Sequence, residues 1–453
     1  MAAPDPRRHD REIVRLAVPA FLALVAEPLF LLTDAAIVGH LGTAPLAGLG
    51  IAAAVLQTAV GLCIFLAYGT TASVARRLGS GDRRGALAQG IDGVWLAVLI
   101  GTVATVLGVL LTDPLVAAFR PEPAVAEPAT TYLRIAFLGT TPLLVMLATT
   151  GVLRGLQDTR TPLVVAVAGN ALNAVLNVAL VHGVGPVPAL GVAGAAWGSV
   201  AAQVASAVVL LLVVVRAARR EGAPLTPDLP GIRTAARAAV ALVVRTLTLR
   251  AALLVTTYAV TAGSADGGAG SQAVDVAAHQ LALTLWTFLA FALDAIAIAA
   301  QAITGRHLGA GDVDATRTVT ARMVRWGLLS GVVTGALLAL ASPWLGPLFV
   351  DDPAVHEALV PVLLVAALGQ PVAGVVFVLD GVLIGAGDGS YLAWGGLLTL
   401  VAYAPVALAA VALGGGLLTV WVALTAVFMG ARLVVLLHRA RGEAWLVTGA
   451  VRV

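Results

Sequence analysis

The chain contains no lysine, a single cysteine (Cys63) and little charge of either sign. Each absence removes a class of function. A phosphate-gripping G-x-x-x-x-G-K-[ST] loop is impossible without lysine, so ATP is not the energy source within this chain. One cysteine excludes an intramolecular disulfide and a cysteine-based metal site. His40, His182, His279 and His356, read as lying at outer helix ends or loops, have no metal-ligand spacing, so no metal is expected. Neither H-E-x-x-H nor G-x-S-x-G occurs, which argues against an enzyme. Charged residues make up 11% of the chain, against about 25% in an average soluble domain.

What fills the space is apolar. Of 453 residues 60% are hydrophobic, and the mean hydropathy is +0.98. No soluble core hides that much apolar surface, so the solvent is a lipid bilayer. The 49 glycines and 22 prolines fit transmembrane helices, which tolerate both where neighbouring helices satisfy the freed backbone. The net charge of +3 and pI near 9.5 would suggest nucleic acid in a soluble protein. Here arginine bias at one membrane face accounts for them, and no nucleic-acid partner is expected. That all 27 basic residues are arginine reads as genome composition. The N-terminus, with Arg7, Arg8, Arg11 and Arg15, resembles a signal-peptide n-region. The apolar run behind it is too long for an h-region and is read as the first retained span.

The chain repeats itself at an offset of 230 residues. Thr71–Asp82 (TASVARRLGSGD) returns as Gln301–Asp312 (QAITGRHLGAGD), and Gly151–Asp158 (GVLRGLQD) as Gly381–Asp388 (GVLIGAGD). Pro123-Ala124-Val125-x-Glu127 returns as Pro353-Ala354-Val355-x-Glu357. Three matches at one offset mean a duplicated first half, and in so apolar a chain they indicate a two-lobed transporter with its pathway between the lobes.

Apolar stretches of ~20 residues, enough to cross ~30 Å of hydrocarbon, can be placed twelve times, from 14–38 to 417–438. The longest polar gap, Arg216–Arg237, is read as a cytoplasmic linker between an N-lobe over 1–220 and a C-lobe over 221–453. Arginines gather after spans 2, 4, 6, 8 and 12, while the opposite loops carry Glu122, Glu127, Asp266, Asp275, Asp351, Asp352 and Glu357, with Arg120 the exception. By the positive-inside rule both termini are cytoplasmic. Six spans per repeat make the repeats parallel. The expected fold is an all-α integral membrane protein: twelve transmembrane helices in two parallel six-helix lobes, with a pseudo-two-fold axis along the membrane normal. The expected location is the cytoplasmic membrane.

Particular segments carry a resemblance. Ala26–Ala52 (AEPLFLLTDAAIVGHLGTAPLAGLGIA) resembles the first helix of the multidrug and toxic compound extrusion (MATE) family, in its DinF-like branch, with that branch's D-T-A-x-V-G-H-L-G pattern. The paired loops Gly79–Asp82 and Gly309–Asp312, and Gly155–Asp158 and Gly385–Asp388, resemble two further family hallmarks, although Gln157 replaces glycine in one copy. The likeness runs from about residue 12 to 440. It implies an ion-coupled antiporter of organic compounds with twelve helices in two lobes, acting as a monomer with a small organic substrate and the bilayer as partners, and with a proton or sodium as its coupling ion rather than a cofactor.

Ionisable groups inside a membrane cost roughly 2.5–3.5 kcal/mol at a helix centre on insertion scales, so each is a functional candidate. Asp34 lies about five residues, or roughly 7 Å, below the outer end of span 1. It can carry a proton or anchor a loop; the resemblance implies that it is the coupling carboxylate. Glu27 sits seven residues earlier on the same face, either as a second member of the pair or as a solvated cavity residue. Pro19 and Pro28 interrupt the hydrogen bonding of span 1, and the resemblance implies that this helix bends on protonation, a static kink being the alternative. Asn170, Asn173 and Asn177 share one face of span 5, as carboxyl partners or interhelical glue. By resemblance Asn173 and Asn177 join the helix 1 carboxylate. Some members have Asp where this chain has Asn177 and Tyr where it has Phe30, so a sodium site is short of carboxylates here. Ser199 in span 6 is a further candidate for this cavity.

In the second half, Asp294 in span 8 lies ~18 Å from Arg306, near mid-membrane, and is read as a substrate or ion contact, with a structural hydrogen-bond hub as the alternative. Asp380 in span 10 reads as structural or as a gate. Gln280, Gln301 and Gln370 read as helix–helix glue. Position 34 has Ser264 as its repeat mate and position 294 has Ile64, so the scaffold is duplicated and the buried acids are not. The leading function is a proton-coupled exporter of amphipathic organic compounds working by alternating access. Sodium coupling is the alternative. A lipid-linked precursor flippase is a weaker one, since only Arg134, Arg245 and Arg250 fall in or near spans to hold a diphosphate.

Overall fold

A backbone in hydrocarbon has no water to bond, so every spanning segment must satisfy its own N–H and C=O groups. The chain answers with helices throughout. The computed structural model describes residues 6–184, 188–263 and 269–451; Ser264 and Asp266 lie outside them. Among the described residues twelve helices are long and apolar enough to span: α1 His9–Gly39, α2 Thr43–Gly79, α3 Arg83–Leu110, α4 Pro123–Gly155, α5 Arg160–His182, α6 Val192–Arg220, α7 Leu229–Gly263, α8 Gly270–Gly309, α9 Val313–Phe349, α10 Pro353–Gly385, α11 Gly389–Ala412 and α12 Leu417–Arg441. The twelve expected spans are all present, most of them extended by several residues at one or both ends.

Three spans are locally irregular. α2 is interrupted at Ile64, α4 contains a 3-10 turn at Phe137–Gly139, and α12 contains a π turn at Leu424–Phe428. α1 stays helical through both Pro19 and Pro28.

The described residues fall into two compact units. One comprises Val18–Ala239, and the other Val240–Thr448 with the start of α1 as far as Ala17. In the second unit the start of α1 is held by charge. Asp10 accepts from Arg322 at 2.6 and 2.7 Å and from the Trp326 indole at 2.8 Å, and Glu12 pairs with Arg306.

The duplication is visible as duplicated contacts. A Cβ built on Gly151 of α4 would lie 2.6 Å from the Ala67 carbonyl oxygen of α2, and one on Gly381 of α10 would lie 2.4 Å from that of Ala297 of α8. One turn on, Gly155 would meet Thr71 O at 2.9 Å and Gly385 would meet Gln301 O at 2.4 Å. Both halves therefore use the same small-xxx-small seam, in which missing side chains let two backbones touch.

The repeated G-x-G-D loops close their helices in one way. In each, the Asp N–H bonds the carbonyl five residues back and the preceding N–H bonds the carbonyl three back: Asp82 and Gly81, Asp158 and Gln157, Asp312 and Gly311, Asp388 and Gly387. This pairing needs a left-handed residue before the Asp. Gly81, Gly311 and Gly387 have φ of 81°, 77° and 71°, and Gln157 takes the same conformation at 67°. Asp82 and Asp312 then cap the next helix, accepting from Gly85 N at 2.7 Å and Ala315 N at 2.9 Å. Asp158 accepts from the N–H of Arg160 and Thr161, and Asp388 instead pairs with Arg439 at 2.6 Å.

The polar stretch 216–237, read from the sequence as the inter-lobe linker, is mostly helix. α6 runs to Arg220 and α7 begins at Leu229, because long arginine side chains let a helix end pass beyond the apolar layer. The intervening residues are tied to α3. Trp95 Nε1 donates to Leu225 O at 3.0 Å, and the buried Asp92 accepts the Asp228 N–H at 3.1 Å.

Candidate functional site

Within the unit Val18–Ala239, four helices converge on Asp34. The carboxyl is 2% exposed. Asn177 of α5 donates its amide to Oδ1 at 2.6 Å, while Oδ2 accepts from Ser199 of α6 at 3.1 Å and from the Tyr132 hydroxyl of α4 at 3.4 Å. Behind these, Asn173 donates to Ser199 Oγ at 3.0 Å, and Asn177 lies 3.4 Å from Asn173 Oδ1. Tyr132 belongs to a buried hydrophobic cluster with Val38, Leu133, Phe137, Val181, Ala195 and Ala196.

Local sequence explains the convergence. Asn173 and Asn177 are one turn apart, so both point from the same face of α5. Gly198 lets α6 approach: a Cβ there would lie 2.0 Å from Asn177 Oδ1. Gly194 does the same one turn earlier, where a Cβ would lie 2.4 Å from Leu180 O. Asn170, two turns below Asn177, donates to the Ala26 carbonyl at 2.6 Å and so braces α1 beside Glu27 and Pro28.

The electrostatics of the site are one-sided. Every donor to Asp34 is neutral, and no salt bridge among the described residues reaches it. Asn177 Oδ1 is buried with no hydrogen-bond partner among the described residues. The site can therefore hold one negative charge on Asp34 only with direct hydrogen bonds, and it has an oxygen ready to meet a proton donor or a cation.

The other candidates are placed as follows. Glu27 is exposed on α1 and makes no hydrogen bond to Asp34. Pro19 and Pro28 are partly buried. Asp294 lies on α8 in the other unit, half-buried. Gln301 and Gln370 are buried, while Gln280 is exposed. Asp380 is paired with Arg245 and Arg432, and Arg134 is bonded to Asp113 at 2.8 and 2.9 Å. His40 and His182 line one cavity with Ala36 and Ile37. His279, expected at an outer end, is instead buried within α8, between Thr257 at 3.0 Å and the Trp421 indole at 3.2 Å.

Sequence reasoning missed Tyr132, Asp92 and Arg432. Asp92 had a signal, a lone acid inside an apolar run. Tyr132 had none, because nothing in its own helix points to α1.

The MatE family model matches residues 19–179 and again 251–409, once in each half. The chain is 31% identical over 407 residues to Protein DETOXIFICATION 44, chloroplastic, of Arabidopsis thaliana, covering 86% of this chain and 75% of that one. It is 29% identical over 380 residues to DNA damage-inducible protein F of Escherichia coli K12, covering 83% and 81%. A solved structure described as the outward-facing conformation of a multidrug resistance MATE family transporter superposes with a TM-score of 0.86 at 22% identity, over 96% of both chains. The chain belongs to the MATE family of multidrug efflux transporters.

Proposed function

We propose that this protein is a proton-coupled antiporter that exports amphipathic organic compounds, cationic or neutral, by alternating access, with Asp34 as the coupling carboxylate. The observation that carries the reading is a buried carboxylate held only by neutral donors. Such a group changes its local fields greatly when it gains a proton, because no fixed cation masks the change. In the ionised state the site tolerates a cationic or polarisable substrate. A proton arriving from outside removes the charge that Asn177, Ser199 and Tyr132 were serving. Their donors must re-aim, α1 shifts against α5, and the substrate is released; the proton then leaves to the cytoplasm. Pro19 and Pro28 give α1 two points at which to bend, and Glu27, on the same face, is a second acid on the route.

Asp294 is proposed as a substrate or ion contact in the second half. The two functional lobes are taken as 1–220 and 221–453, in a monomer of the cytoplasmic membrane with both termini in the cytoplasm; the arginine distribution supports that orientation. Sodium is the second reading. It rests on the unpartnered Asn177 Oδ1, an oxygen of the kind a sodium ion coordinates.

The test is ion release from purified protein on adding substrate in weakly buffered detergent solution. Proton release that is lost in Asp34→Asn, with no sodium requirement, is the expected result. Release that depends on sodium and leaves pH unchanged would transfer the assignment to sodium.

A further inference from the structure

The unit formed by Val240–Thr448 holds a buried histidine that the Asp34 chemistry does not use. His279 of α8 is 1% exposed. Its hydrogen-bond partners are the Trp421 indole of α12, 3.2 Å from Nδ1, and the Thr257 hydroxyl of α7, 3.0 Å from Nε2. Donor chemistry fixes which nitrogen carries the proton. An indole N–H can only donate, so Nδ1 must accept and is bare. The remaining proton sits on Nε2 and is given to Thr257, whose own hydroxyl proton goes to the Leu253 carbonyl at 3.2 Å. The imidazole is therefore neutral and in one tautomer, within a chain of bonds that all point from α12 towards α7.

A second fastening lies beside the first. Tyr403 of α11 bonds Thr256, the neighbour of Thr257, at 2.6 Å, and its ring packs against Phe428 of α12 with centroids 5.4 Å apart. Thr256, Tyr403, Trp421 and Phe428 are all buried. Trp421 stands three residues before the π turn of α12, and Phe428 ends that turn. Turns of this kind gather at functional sites in helices. The irregular stretch of α12 is thus tied towards α7 at both ends, and only the Trp421 tie depends on where a proton sits. Besides Tyr403, the titratable groups around His279 are Asp275, one turn earlier on α8, Tyr258 of α7, and His356 and Glu357 at the start of α10. α9 carries none after Arg325 and α12 none before Arg432. Both bonded partners, Trp421 and Thr257, are uncharged.

We propose that His279 Nδ1 is a proton-binding site, and that taking up the proton and letting go of Trp421 are one event. A proton on Nδ1 turns the acceptor into a donor facing another donor, so the indole must leave. α12 then keeps the Phe428 tie and loses the one ahead of its π turn. The site lies wholly within this unit and does not rest on Asp34 as the coupling group.

The experiment is an NMR titration of purified transporter labelled with 15N-histidine and 15N-tryptophan, from about pH 8 to about pH 4, a range that spans the ordinary histidine value near 6.5. The His279 and Trp421 signals are assigned by their loss in His279→Gln and Trp421→Phe. At the alkaline end His279 should show a bare Nδ1 and a protonated Nε2. As the pH falls, Nδ1 should gain a proton and the Trp421 indole N–H should shift with the same midpoint. Trp421→Phe leaves no bond to break, so Nδ1 there should bind its proton roughly tenfold more tightly, the worth of about one hydrogen bond. In His279→Gln the amide can accept from Trp421 and donate to Thr257 but cannot titrate, and the indole signal should stay constant. The wild-type titration does not depend on either variant folding. Asp34→Asn should leave it unchanged, so this proposal and Asp34 coupling fail separately. An Nδ1 that is protonated at the alkaline end or bare throughout, an indole signal that stays put while His279 titrates, or a titration lost in Asp34→Asn would each overturn the proposal.

Discussion

Asn177 donates its side-chain amide to Asp34 at 2.6 Å, the shortest bond in the cluster and one that joins α5 to α1. A hydrogen bond to a charged group is worth about 1.5–3 kcal/mol. Asn177→Ala should therefore lower the substrate efflux rate in reconstituted vesicles by about tenfold or more. Tyr132→Phe removes a longer bond, 3.4 Å, and should cost less. An efflux rate more sensitive to Tyr132 than to Asn177 would show that the ranking of these partners is wrong.

Valine at Gly151 or at Gly381 should damage the fold to a similar degree. Both sites leave no room for a Cβ, with backbone oxygens 2.6 and 2.4 Å from its position. Overpacking of this kind costs about 1–3 kcal/mol. Thermal unfolding in detergent should show both variants melting below wild type, and a tolerated valine at either site would deny that the seam is duplicated.

Gln157 adopts the left-handed backbone that its repeat mate Gly387 adopts. The reciprocal exchange Gly387→Gln should destabilise by roughly 1–2 kcal/mol, the cost of that conformation for a residue with a Cβ. Gln157→Gly should be neutral or stabilising. Tm measurements on the pair check the sign, and a Gly387→Gln protein as stable as wild type would refute the strain.

Asp92 anchors the stretch between α6 and α7 through the Asp228 N–H. Asp92→Ala should free residues 221–228, and limited proteolysis should cut there several-fold faster. An unchanged cleavage rate would mean that Trp95, through Leu225, holds the segment by itself.

How far the sequence could be read depended on what kind of constraint was at work. Spans were legible because a lone segment in hydrocarbon must close its own backbone hydrogen bonds as a long apolar helix, and their ends shifted by several residues, outward in most cases, as at Arg220 and Arg441. Asp34, Asn173, Asn177 and Ser199 were legible as polar atoms with no place in lipid. Their joining to one another needed the resemblance or the structure. Tyr132 was not legible, because its partner lies 98 residues away on another helix. The repeat register also hid a substitution of chemistry: Tyr403 stands 230 residues after Asn173, equally buried, and bonds Thr256 at 2.6 Å where Asn173 bonds Ser199. His279 was misplaced because its neighbours Trp421 and Thr257, which satisfy both ring nitrogens, come from other helices.

The central claim is that Asp34 couples proton movement to export. Its most direct test is substrate uptake into inverted membrane vesicles under an imposed pH gradient, comparing wild type with Asp34→Asn. The account predicts that the variant retains its fold, still binds substrate, and loses gradient-driven transport. Transport at the wild-type rate with the same pH dependence would contradict it.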